Sequence, residues 1–140
     1  VREYEKRLKG YCKLTLLELP EEKLPNAPSQ AQINAALEKE AQAIFSKLPK
    51  RATLVALCIE GKELSSEQLA QKFQQWATSG VSAIALVIGS SYGLHPLVKQ
   101  QAALRLSMSP MTFPHHLARV MLLEQVYRAF KINEGSLYHK

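Results

Sequence analysis

The 140-residue chain contains no aspartate, and all twelve of its acidic residues are glutamates. A Ser-His-Asp triad is therefore excluded by composition, and a glutamate version lacks the strained elbow that would expose a serine nucleophile. Cysteine is scarce: Cys12 and Cys58 stand alone inside strand-like runs. They read as free thiols of a reducing compartment rather than as a disulfide, which favours the cytoplasm. Metal-binding clusters are missing too. His115 and His116 are adjacent, so on a helix they diverge by about 100° and do not share one ion, and no second histidine follows four residues later. The expectation is no metal. The apolar runs are too short for a membrane span, and no charged-apolar-small leader opens the chain.

Negative charge is missing from the middle of the chain. Between Glu67 and Glu124 there is no acid at all, while Lys72, Lys99, Arg105 and Arg119 fall in the same interval. Residues 1–67 carry eleven Lys/Arg against ten Glu, and residues 68–140 carry seven against two. A half-chain so biased presents a positive field suited to a polyanion, although a merely basic surface has the same composition.

Apolar residues make up 46% of the chain, enough for one domain with a real core. We read residues 1–140 as that single domain, with no internal repeat and no linker. "VREYEKRL" reads as the end of a helix stopped by Gly10, and "YCKLTLLEL" as a strand. Ile33, Leu37, Ala41, Ile44 and Leu48 mark a helix that Pro49 ends. "ATLVALCI" is a buried strand, after which Glu60-Gly61-Lys62 is expected to turn the chain into a helix. Ser65 and Gln68 form a capping box for that helix, and Gly80 marks its far end. "AIALVI" reads as a second buried strand, "GLHPLVKQQ" as a short helix and "ALRLS" as a third short strand. Pro114 then opens a helix running to about Ile132, with Asn133 and Gly135 just past it. Strands alternating with helices predict an α/β fold with a largely parallel sheet.

In such sheets ligands bind beyond the carboxyl ends of the strands. Those ends fall at Leu57–Gly61, Ile88–Gly93 and Ser107–Phe113. The glycines in "VIGSSYGL" do not have dinucleotide spacing, and no acid follows in range to hold a ribose, so a redox nucleotide fits poorly. Gly89 and Gly93 also suit a plain tight turn. In "SMSPMTFPHH", the hydroxyls of Ser107, Ser109 and Thr112 accompany Met108, Met111 and Phe113, which could wall an apolar slot. Pro110 and Pro114 restrict the chain there. Thr112 or Phe113 is expected at the helix start, where backbone N–H groups point outward. A loop packed into the core is the competing reading.

"VIGSSYGLHP", "LSMSPMTFPHHLARVMLLEQVYRAFKI" and the closing "SLYHK" resemble the bacterial ribosomal RNA large subunit methyltransferase H family, a SPOUT-class group. The similarity runs from the first helix to the last residue. Relatives begin earlier, so about twenty N-terminal residues are expected to precede Val1. The resemblance implies a mostly parallel sheet with helices on both faces and a C-terminal trefoil knot, a rare exception to unthreaded topology. It implies S-adenosylmethionine (S-adenosyl-L-methionine) as cofactor, a cytoplasmic homodimer, and methylation of ring nitrogen 3 of a pseudouridine in ribosomal RNA. Matched by motif, Leu57, Gly89, Met108, Ser109, Pro110, Met111, Thr112 and Phe113 would contact the cofactor. Ser90 stands where many relatives have glycine, and His116 where glutamine is frequent. Other readings are a SPOUT enzyme acting on transfer RNA or another base, and a non-catalytic RNA-binding relative.

Methyl transfer from a sulfonium requires in-line alignment, and the acceptor nitrogen must lose its proton. His139, Tyr138 and Arg128 are the catalytic candidates, with His115 and Arg119 as substrate contacts. Each has a plainer reading as a structural or phosphate-binding group, and Glu124 with Arg128 could form a helix-surface ion pair. The last helix is apolar nearly all round, from Leu117 to Phe130. Such a helix needs cover on several sides, and a twin subunit would supply one of them.

Overall fold

The computed structural model describes residues 13–18, 25–89 and 93–135. Among these residues four strands alternate with four helices. The strands are β1 (Lys13–Glu18), β2 (Thr53–Glu63), β3 (Ala83–Ile88) and β4 (Leu104–Ser107), and the helices are α1 (Gln30–Lys47), α2 (Ser66–Thr78), α3 (Pro96–Gln101) and α4 (His115–Asn133). Every strand pairing is parallel, in the order β1-β3-β2-β4. The α/β reading holds. The expected first helix at "VREYEKRL" and Cys12 lie outside the described residues.

Alternation along the strands divides the apolar side chains between two cores. Ile84, Leu86 and Ile88 of β3 join Val55, Leu104 and Leu106 beneath α2 and α4. Ala85 and Val87 turn the other way, joining Leu54 and Ala56 beneath Ala41 and Ile44 of α1 and Val98 of α3. β3 is buried along its whole length, which explains its continuous apolar run. The chain passes from β1 to β2 on the α1 face, returns to β3 on the α2 face, and passes to β4 on the α3 face. Direction and face reverse together, so the three crossovers share one hand, as parallel sheets require.

The helix starts follow from local chemistry. Ser29 and Gln32 cap α1 reciprocally, and Ser65 and Gln68 do the same for α2. His95 Nδ1 accepts from the Leu97 amide at the head of α3. Gly80, just past α2, has φ +93°, the left-handed conformation glycine tolerates best. α2 and α4 are tied by stacked Phe73 and Phe130 rings (centroids 5.2 Å apart) and by Asn133 donating to the Ala70 carbonyl at 2.9 Å.

Two expectations are corrected. The chain does not turn at Glu60-Gly61-Lys62, because β2 continues to Glu63. Leu57 and Lys62 both lie opposite Leu106, so Cys58–Gly61 form an excursion between them. β4 is only four residues long, so the far half of β2 gains partners only by returning to Leu106 and Ser107. A Cβ on Gly61 would lie 2.7 Å from the Arg105 carbonyl oxygen, so this close return needs glycine.

The second correction concerns α4. Pro114 is its N-cap, with ψ 148°, and the Pro114 carbonyl accepts from Ala118 at 2.9 Å. Thr112 and Phe113 therefore precede the helix instead of starting it. At the far end the helix reaches Asn133, one residue past the expected stop, and Gly135 has φ +74°. α4 is covered unevenly: Leu122, Leu123, Val126 and Ala129 are fully buried, whereas Leu117 is 43% exposed. Val120 and Met121 are half-buried.

Candidate functional site

The strand register builds this site. Ile88 lies opposite both Glu18 and Leu57, and Leu57 lies opposite Leu106. All four strands thus reach one level, and just past it β3 ends before Gly89, the β2 excursion begins at Cys58, and β4 ends at Ser107. The three carboxyl-end segments singled out in the sequence converge on this edge. Among the described residues the large apolar side chains that remain exposed, Ile59, Leu97, Met111 and Leu117, all follow it in the chain. Ile59 is in the β2 excursion, Met111 follows β4, and Leu97 and Leu117 are in the first turns of α3 and α4.

The β4–α4 segment organises itself. Ser107 is buried, and its Oγ donates to the Ser109 carbonyl at 3.2 Å. Ser109 Oγ accepts from the Met111 amide at 3.0 Å. These two hydroxyls therefore shape the loop and do not simply point outward. The apolar residues divide as well. Met108 packs against the α2/α4 core, Phe113 is half-buried, and Met111 is 70% exposed. Pro110 and Thr112 are exposed. No side chain caps α4, in contrast to the other three helices, so its first-turn amides and positive dipole end face this edge.

Gly89 is half-buried, and its lack of a side chain has an internal cause. A Cβ there would lie 2.5 Å from the Gly93 carbonyl oxygen and 2.8 Å from Leu94 Cγ. Gly93 has φ +90°. The two glycines thus approach each other closely, one residue beyond the Ile88–Leu57 pairing; Ser90 to Tyr92 between them lie outside the described residues.

A charged group absent from the sequence reading surrounds Cys58. Glu60 of the β2 excursion pairs with Lys99 of α3, and this contact holds the Glu60 carboxyl below its ordinary range. Arg105 of β4 adds to the same effect. Burial, followed by the Glu60 charge, pushes the Cys58 thiol up, against Lys99 and Arg105. Glu60 and Lys99 are 39 positions apart, and no local spacing links them. Only the crossover order, which puts α3 over β2, could have brought them together.

The remaining candidates are scattered. Leu57 is half-buried against the α2/α4 core. His115 is the first residue of α4, and Arg119, one turn on, is half-buried with its Nε shielded from solvent. Arg128 Nε donates to Glu124 Oε1 at 2.8 Å, the helix-surface pair allowed by their spacing. Tyr138 and His139 lie outside the described residues. Among the described residues no three His, Cys, Asp or Glu side chains gather as a metal site, and no helix is long and apolar enough to cross a membrane.

A family model described as "Predicted SPOUT methyltransferase" matches residues 1–139.

Proposed function

Since the chain belongs to the SPOUT methyltransferase family, whose members use S-adenosylmethionine, we propose that it methylates ring nitrogen 3 of a pseudouridine in large-subunit (23S) ribosomal RNA. The observation that carries this reading is the shared level of Leu57, Ile88 and Leu106, from which three loops leave the sheet together. The substrate rests on the resemblance of the Met111–Ile132 and Ser136–Lys140 stretches to the methyltransferase H family. The trefoil knot is part of the same proposal.

The residues at the edge suit the cofactor. Exposed Met111, half-buried Met108 and Phe113, and Leu57 offer soft apolar contact to a purine and a sulfonium. Gly89 lets the chain pass close, while Ser109, Pro110 and Thr112 complete the loop, and the uncapped head of α4 supplies amide donors. Bound S-adenosylmethionine supplies an electrophilic methyl group. The protein's task is to align the acceptor nitrogen with it, an effect able to supply about 7–11 kcal/mol of the barrier, and to remove the nitrogen's proton. We assign proton removal and charge stabilisation to His139, Tyr138 and Arg128, and RNA contact to His115 and Arg119. The acid-free interval from Glu67 to Glu124 favours a polyanionic partner.

A second copy of the chain completes the proposal. Leu117, Val120 and Met121 form the less covered flank of α4, and an isologous dimer would bury it further. Sedimentation at micromolar concentration should show a dimer, and a monomer would refute this part. For the activity, titration calorimetry with S-adenosylmethionine should give saturable binding, and a cell lacking the gene should lose one methylated pseudouridine of large-subunit RNA. Absence of binding would leave a non-catalytic RNA-binding protein. Binding with an unchanged large-subunit pseudouridine would redirect the search to transfer RNA or another base.

A further inference from the structure

The Glu60–Lys99 ion pair differs in kind from Arg128–Glu124 on α4 and Lys131–Glu134 at its C-terminal end, because it joins two elements. Glu60 lies in the excursion between Leu57 and Lys62, inside the register slip of β2 against β4. Lys99 belongs to α3, a single short helix whose capped head at His95 directly follows the Gly89–Gly93 turn and buried Leu94. Leu94 and Gly93 are the groups packed against Gly89. A continuous path of contacts therefore runs from the β2 excursion through the ion pair and α3 to Gly89. The other side of the excursion is fixed by Gly61 against the Arg105 backbone.

We propose that Glu60 and Lys99 are positioning residues that set the spacing between the β2 excursion and the Gly89 turn, and so the width of the cofactor site. This inference rests on the reading that these two segments hold S-adenosylmethionine. Neither residue touches the reacting atoms in this account. Glu60 is 58% exposed and Lys99 25% exposed, so the pair is solvent-screened and its effect is modest.

The test is steady-state kinetics on the full-length protein, with calorimetric binding of S-adenosylmethionine alongside. Glu60→Gln and Lys99→Gln should each raise KM and Kd for S-adenosylmethionine about two- to fivefold, with kcat and melting temperature unchanged. Glu60→Gln/Lys99→Gln should be no worse than either single variant, and Lys99→Arg should keep wild-type affinity. Salt at about 1 M should erase the difference between wild type and variants, because the Debye length there is about 3 Å. Single variants that bind as tightly as a binding-competent wild type, or whose effects add in the double variant, would overturn the positioning role and leave the cofactor reading intact. Failure of the wild type itself to bind would overturn the cofactor reading, and the positioning role with it.

Discussion

Alanine at Gly89 makes the sharpest test of how the site is built. The added methyl would stand 2.5 Å from the Gly93 carbonyl oxygen and 2.8 Å from both the Gly93 carbonyl carbon and Leu94 Cγ. To restore ordinary contact at 3.4 Å, the carbonyl must retreat by about 0.9 Å. The obstruction is backbone, held by the left-handed Gly93 and by Leu94, which is only 3% exposed. Overpacking of this kind costs about 1–3 kcal/mol, and we place Gly89→Ala in the upper half of that range. For a domain of this size that lowers the melting temperature by about 6–12 °C. The same displacement moves the turn beside Leu57, so affinity for S-adenosylmethionine should fall at least about tenfold, equivalent to about 1.4 kcal/mol. Calorimetric melting and ligand titration read the two effects separately. Gly80→Ala is the control: its φ is +93°, but no atom lies within 4 Å of the new Cβ. It should cost about 1–2 kcal/mol through backbone strain and leave ligand affinity unchanged. A Gly89→Ala protein that melts and binds like wild type would refute the steric argument.

Ser65→Ala removes one half of the α2 capping box and should destabilise the fold by about 1 kcal/mol in urea unfolding; no change would mean that the box contributes nothing. Leu123→Ala opens a void under the fully buried centre of α4, with an expected loss of about 2–5 kcal/mol; a loss below 1 kcal/mol would show that the core closes over it. Because burial raises the Cys58 pKa, less of it is thiolate at any given pH. Iodoacetamide at pH 8 should therefore label Cys58 more slowly in the folded protein than in urea, as read by peptide mass spectrometry, and equal rates would contradict the burial. The labelling rate should rise with pH and should still be rising above the ordinary thiol range.

The sequence made most of the fold legible because its local signals agree with one another. "AIALVI" is continuously apolar since β3 lies between two neighbours and under helices on both faces, and its short length with β-branched residues favours a strand. Ser65, Gln68 and Gly80 mark α2 at both ends through short-range chemistry alone. The Ser29–Gln32 box of α1 is a signal of the same kind. The path after Leu57 was not legible. Glu60-Gly61-Lys62 has the composition of a turn, and what keeps it in the sheet is Arg105 and Leu106, more than forty positions away. The head of α4 lies one residue beyond the expected start, because Pro114 fits both an N-cap and a first helical position, and φ alone does not separate them. At the site, motif and register agree on which segments meet. Spacing could not show that Ser107 and Ser109 bind within their own loop, nor that Glu60 meets Lys99.

The strand order also bears on how the polypeptide is made. β3 separates β1 from β2, so among the described residues neither has a hydrogen-bonding neighbour in the sheet until residues 83–88 have emerged from the ribosome. More than half the chain is therefore synthesised with two apolar strands waiting side by side for a wedge not yet translated. Pairings of this kind are non-local and slow, and their open edges invite aggregation. A circularly permuted gene that delivers β3 first should give a higher soluble yield on release from the ribosome than the natural order of translation.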